Sequence, residues 1–247
     1  MNPLFRYASP PAFYPLAGKM VPYFAWAAGL LALVGLYLGL IVAPIDFQQG
    51  ENYRILFIHV PTAWMAMFTY LVMTGYAILT LALRTRLSAL MIEALAPTGT
   101  LFAALALLTG AFWGKPTWGA WWVWDARTTS TLILLFLYVG YLALVNAIED
   151  PQRADRAGAL LILVGSVNLP IIYYSVQWWN TLHQGSSISL TAAPAMARTM
   201  IESMLALTFA AWAYTIAVSL VRVRQKILLR EQRTQWVLEM GARPQGI

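Results

Sequence analysis

An all-α integral membrane protein with six transmembrane helices is the fold class this sequence predicts, with both termini cytoplasmic and a tryptophan-rich outer loop between helices 3 and 4. Composition, the spacing of charge-free windows and the placement of basic residues carry that expectation. The 247 residues are 60% hydrophobic and 11% charged, with a mean hydropathy of +0.64. Soluble domains usually carry roughly 25% charged residues, so this composition belongs in a bilayer. Six windows are long and nearly free of charge: 20–43, 60–83, 90–112, 130–148, 158–176 and 200–221. Each supplies the ~20 apolar residues that a helix needs to cross a hydrocarbon core. Lipid satisfies no backbone polar group, and the windows lack the alternation of barrel strands, so helices are expected throughout.

The first nineteen residues hold four prolines and no apolar stretch beside a small-residue cleavage site. They are not expected to be a removable signal peptide, and the first helix is read as permanent. The second helix is expected to begin near Pro61, with proline in its first turn and His59 just ahead of it. In the fifth and third windows, Asn168 with Pro170 and Thr109 with Gly110 are weak candidates for local breaks. Six spans leave little chain for a separate soluble domain, so residues 1–247 are read as one membrane domain.

Twelve of the 16 Lys and Arg residues flank the side that holds both termini; Arg54, Lys115, Arg127 and Arg198 flank the other. By the positive-inside rule both termini are cytoplasmic. The net charge of +6 therefore reports topology and attraction to anionic membrane lipid, with no nucleic-acid partner expected. Three outer segments follow, at about 44–59, 113–129 and 177–199. The basic tail from Arg222 is expected to lie on the membrane surface or to dock a partner. Glu93 and Glu202 fall near span ends, where they can snorkel to water.

The second outer segment reads WGKPTWGAWWVWDAR, with Trp113, Trp118, Trp121, Trp122 and Trp124 inside twelve residues. Were the stretch after Gly119 helical, Trp118, Trp121, Trp122 and Asp125 would share a face. Interfacial anchoring explains single tryptophans at span ends. It requires neither Asp125 nor Arg127, whereas a platform for a large flat apolar ligand explains the cluster: indole faces stack on macrocycles and indole N–H groups donate to polar edges. With no cysteine in the chain, a disulfide frame, a thiolate metal site and a thioether to haem are excluded.

The string WGAWWVWD, Trp118 to Asp125, resembles the WWD signature of haem-handling proteins. With the chain length, six spans and two outer histidines, the whole chain is similar to the haem exporter protein C (CcmC) family of system I cytochrome c maturation. It departs from many relatives at Thr128, where leucine is common. The resemblance implies non-covalent haem b, held at the periplasmic face of the bacterial inner membrane and handed to the haem chaperone CcmE. CcmD and the ABC-type subunits CcmA and CcmB are the further partners implied. No Walker A string occurs, so energy for release must come from elsewhere.

His59 and His183 are the only histidines and both fall in outer segments. An interfacial histidine is commonly a hydrogen-bonded structural residue; two of two beside a tryptophan platform favour haem ligation. The resemblance implies the same pair as axial ligands. Propionates need cations, for which Arg54, Lys115, Arg127 and Arg198 are candidates, Arg127 first by proximity; ordinary headgroup contact is the alternative for each. Asp125 could orient Arg127, cap the following helix or accept from an indole. Bound or presented haem calls for no bond-making chemistry, so the chain is not read as an enzyme. The rival readings are a transporter permease with a path through the bundle, which needs buried polar groups or broken helices at mid-membrane, and a b-haem oxidoreductase, which ordinarily pairs histidines inside spans.

Overall fold

The computed structural model describes residues 7–183 and 196–242. Arg6, Arg243 and residues 184–195 of the third outer segment lie outside this range. Six helical stretches are long and apolar enough to cross a membrane. The first, α1 (Pro10–Tyr37), continues through a π-helical turn, Leu38–Val42. A 3-10 turn, Glu51–Ile55, leads into α2 (Leu56–Leu83), followed by α3 (Arg86–Trp118) and α4 (Ala126–Ala147). The fifth span is two helices in series, α5 (Pro151–Gly165) and α6 (Asn168–Trp178), and the sixth is α7 (Arg198–Glu231). A short α8 (Gln235–Ala242) folds back at the end. Among the described residues there is no strand, only an isolated bridge between Asp46 and Gly50.

The helices outrun the charge-free windows. α3 has 33 residues where about 20 suffice, because a helix satisfies its own backbone and continues past the hydrocarbon core while ionic side chains reach water or each other. Trp113 and Trp118, assigned from sequence to the outer loop, are consequently in the last turns of α3. Pro61 does not begin α2; it lies within the helix, and His59 is therefore a helical residue. Thr62 steadies the turn beside the proline by donating to the carbonyls of Ile58 and His59 at 3.0 and 2.9 Å.

The fifth span does break, at Ser166–Val167. Pro170 has no N–H for the carbonyl of Ser166, four residues earlier, and its ring crowds that position. The chain responds with tighter turns: Val167 N donates to Val164 O at 3.3 Å and Leu169 N to Ser166 O at 3.0 Å. Asn168 fastens the break to α4 through Ser130 O at 2.8 Å.

Packing uses small residues, as expected where lipid is as apolar as the core. α1 lies at the periphery and docks on α7 through Gly35 and Gly39: an added Cβ would lie 2.6 Å from Leu207 and 2.4 Å from Ser203 Oγ respectively. Ser203 Oγ closes this contact by donating to Gly35 O at 2.7 Å. Between α2, α3, α4 and α5, three buried tyrosines sit over glycines, Tyr70 over Gly165, Tyr138 over Gly99 and Tyr141 over Gly158. Tyr70 and Tyr138 meet edge to face at 5.1 Å, and Tyr138 donates to Ala66 O at 2.8 Å.

At the end holding the termini, Tyr14 of α1 meets Trp236 of α8 at 5.9 Å. The basic stretch from Arg222 is a continuation of α7 and not a separate tail. Its Lys226 pairs with Glu93 at 2.6 Å, and Arg230 bridges Glu93 and Asp155, drawing α3, α5 and α7 together. Glu93 is thus a partner in an internal ion-pair network. Glu202, at the opposite end, pairs with Arg198 on an exposed surface.

Candidate haem site at the end opposite the termini

The tryptophan segment is built from a helix end, a short irregular strip and a helix start. α3 stops at Gly119, whose φ of +78° is left-handed and natural for glycine as a helix terminator. Gly119 N donates to Lys115 O and Lys115 Nζ to Gly119 O, both at 3.0 Å. Residues 120–125 are not helical, so the shared helical face conceived for Trp118, Trp121, Trp122 and Asp125 does not exist. Two signals oppose a helix here: glycine terminates it, and Asp125 starts the next one. Asp125 is the N-cap of α4, its Oδ1 accepting from Thr128 N at 2.8 Å.

In the non-helical strip the tryptophans separate into two groups. Trp122 and Trp124 meet edge to face at 5.3 Å, while Trp121 turns to Phe112 of α3 at 5.6 Å. Trp121 and Trp124 are 54% and 74% exposed, whereas Trp122 Nε1 is buried without a hydrogen-bond partner. The other two tryptophans each hold an imidazole. Trp113 meets His59 at 5.6 Å and Trp118 meets His183 at 4.8 Å, both edge to face. Trp113 is fixed in turn by donating Nε1–H to Gln49 Oε1 at 2.7 Å.

The hydrogen bonds of the two imidazoles define their tautomers. Thr109 Oγ donates to Leu105 O at 2.6 Å, so its lone pairs face His59 Nδ1, 3.1 Å away; Nδ1 carries the proton. Asp125 Oδ2 lies 2.8 Å from His183 Nδ1 and also accepts from Thr181 Oγ. Burial raises the Asp125 carboxyl, but the donors Thr181, Thr128 and His183 outweigh it and hold the group at about 2. It is a carboxylate at neutral pH and can only accept, so His183 Nδ1 also carries the proton. Burial pushes the His183 imidazolium down in pKa against the raising effect of Asp125, which favours the neutral ring. Both rings therefore keep Nε2 as a lone-pair donor, the form in which imidazole ligates a metal.

The basic candidates divide sharply. Arg54 donates to Gly39 O and Ala43 O and pairs with Glu51, and so ties the end of α1 to the start of α2. Lys115 caps α3, and Arg198 pairs with Glu202. Arg127 donates to Ser175 Oγ at 3.2 Å and, more distantly, to the carbonyls of Ile172 and Tyr173 at 3.5 Å, and stands within electrostatic reach of both histidines. The structure brings Trp113, Trp118, Asp125 and Arg127 into the surroundings of the two histidines, leaves Trp122 against Trp124, and ties Arg54 to a helix junction. Thr109, Thr181, Gln49 and Gly110 were missed as partners. Gly110 makes room for the His59 ring, since an added Cβ would lie 3.1 Å from its Cε1.

A haem fits this donor set: two imidazoles held at Nδ1 so that Nε2 is the lone-pair nitrogen, two exposed indoles, a buried indole N–H without a partner and a nearby guanidinium. Fold and site together define a six-span membrane protein with an aromatic, two-histidine surface at one end of its bundle. The model of the family Heme exporter protein C matches residues 3–238. Heme exporter protein C of Escherichia coli (strain K12) is 45% identical over 238 residues, 96% of this chain and 96% of that protein. The protein of that name from Bradyrhizobium diazoefficiens is 42% identical over 236 residues, 96% of this chain and 89% of its own. A ccmC-like mitochondrial protein of Marchantia polymorpha, whose name places it provisionally in cytochrome c biosynthesis, is 47% identical over 166 residues, 67% of this chain and 69% of its own. The chain belongs to the Heme exporter protein C family.

Proposed function

We propose that this chain is a haem-delivery component of c-type cytochrome biogenesis, and that haem b is held non-covalently at the end of the bundle opposite the termini. The observation that carries this reading is the pair of Nδ1-protonated imidazoles, His59 and His183, beside the tryptophan strip. His59 and His183 are the axial ligands. Trp121 and Trp124 offer exposed indoles to the macrocycle, Trp122 Nε1 donates to its polar edge, and Trp113 and Trp118 wall the two imidazoles. Asp125 and Arg127 complete the site, Arg127 receiving a propionate and Arg54 a secondary contact at most, given its carbonyl partners. The work of the chain is binding and transfer without bond-making chemistry.

The full reading places one membrane domain in the bacterial inner membrane, with cytoplasmic termini and the haem site facing the periplasm. The acceptor there is the haem chaperone CcmE, with CcmD and the ABC-type subunits CcmA and CcmB as assembly partners. A permease path through the bundle is less well supported, because the side-chain amide at the break in the fifth span is engaged internally, Asn168 donating to Ser130 O. A b-haem oxidoreductase is disfavoured by the position of both histidines at one end of the bundle.

The test is purification in detergent from haem-replete membranes, with oxidised and reduced absorption spectra and pyridine quantitation of the parent, His59→Ala/His183→Ala and Trp121→Ala/Trp124→Ala. Bound b-type haem in the parent, none in the double-histidine variant and reduced occupancy in the double-tryptophan variant are expected. Full occupancy with unchanged spectra in both variants would return the tryptophans to membrane anchoring.

A further inference from the structure

The two histidines are held through the same nitrogen but by chemically different partners. His183 Nδ1–H meets a carboxylate oxygen of Asp125 at 2.8 Å, and that carboxylate is 6% exposed at the side chain and fixed by its cap to α4. His59 Nδ1–H meets the neutral hydroxyl of Thr109 at 3.1 Å. A hydrogen bond to an ionised acceptor is roughly twice as strong as one between neutral groups. A carboxylate on the far nitrogen of a ligating imidazole raises its basicity toward the metal, and a hydroxyl that already donates its own proton elsewhere does so much less. Thr181 modulates the effect: its hydroxyl donates to the same Asp125 oxygen that accepts from His183, and competes with the imidazole for that charge.

Resting on the two-histidine reading above, we propose that the axial ligands are unequal. His183 is the anchoring ligand, strengthened by Asp125 and tuned by Thr181. His59 is the exchangeable ligand, and its coordination position is the one vacated first when haem passes to an acceptor. Asp125 and Thr181 are positioning residues in this account, acting through His183. The geometry suits such a division, since the carboxylate that strengthens His183 also starts α4 and so ties the ligand to a span of the bundle.

The experiment compares haem content, coordination state and reduction potential in detergent for the parent, His59→Ala, His183→Ala, Asp125→Asn, Thr181→Val and Thr109→Val. His59→Ala is expected to retain haem as a five-coordinate, high-spin species, while His183→Ala loses tenfold or more of its occupancy. Asp125→Asn should raise the potential, because less donation reaches the ferric iron. Thr181→Val should lower it by releasing carboxylate charge to His183, and Thr109→Val should leave it in place. Opposite shifts at Asp125 and Thr181 cannot arise from simple loosening of the site. Equal haem loss in the two single-histidine variants, or a potential unmoved by Asp125→Asn in protein that retains haem, overturns the unequal pair while leaving the two-histidine site intact. A parent without haem, or parent-like six-coordinate spectra in both histidine variants, overturns the site itself.

Discussion

Gly110 decides how far the His59 ring can lie from its present seat. An added Cβ would stand 3.1 Å from Cε1, tighter than an ordinary contact, and Thr109, the preceding residue, holds Nδ1 of the same ring. A methyl can be absorbed by a small ring shift, but branched side chains cannot, because overpacking forces neighbours off their rotamers. Gly110→Val is therefore expected to lower haem occupancy several-fold and Gly110→Ala only slightly, read by pyridine quantitation at matched protein concentration. The histidines and tryptophans of the proposed site stand out in the sequence as unusual residue types in unusual density. Their partners do not. A threonine near a span end is ordinary, and nothing in the local string tells that Thr109 and Thr181 point their oxygens at imidazoles 50 and 2 residues away in sequence. Arg54 shows the same gap: sequence shows a cation, but not the carbonyls of Gly39 and Ala43 to which it donates.

The six spans were readable because hydrocarbon thickness imposes a minimum apolar length, but their ends were not, since a helix leaves the apolar core without changing its backbone. That is why α3 carries Trp113 and Trp118 and why α2 begins ahead of Pro61. The tryptophan spacing left a helix after Gly119 open, yet Gly119 and the cap at Asp125 divide the segment. Between helices, the glycine notches set how closely the spans approach. At Gly99 an added Cβ would fall 2.2 Å from the Tyr138 ring, which is fully buried and held by its bond to Ala66 O. Tyr138 cannot give way without breaking that bond or displacing Tyr70. Gly99→Ala is expected to cost about 1–3 kcal/mol, seen as a lower midpoint of thermal unfolding in detergent. The site residues carried by the same helix, Thr109, Trp113 and Trp118, lie ten or more residues further along α3 than Gly99, so the spectrum of bound haem at low temperature should be unchanged.

Across the whole molecule the polar chemistry is segregated by end. The terminal end is stapled by Glu93, Asp155, Lys226 and Arg230, and the opposite end carries both histidines and the tryptophan strip. A staple of partly exposed ion pairs is worth less than the ~3–5 kcal/mol at stake in a fully buried pair, yet it joins α3, α5 and α7 across long stretches of sequence and fixes the frame on which the far end is built. Which end faces outward rests on the basic residues: Arg84, Arg86, Arg153, Arg156 and the run from Arg222 all flank the terminal end. The chain has no cysteine, so single thiols can be introduced without background. Thr117, exposed at the end of α3, and Gln152, exposed at the start of α5, mark opposite ends. With intact spheroplasts and a membrane-impermeant maleimide, Thr117→Cys is expected to label at once and Gln152→Cys only after permeabilisation. The reverse pattern would turn the tryptophan strip toward the cytoplasm, where haem held by His59 and His183 could not meet a periplasmic acceptor, and delivery outward would then require passage through the bundle.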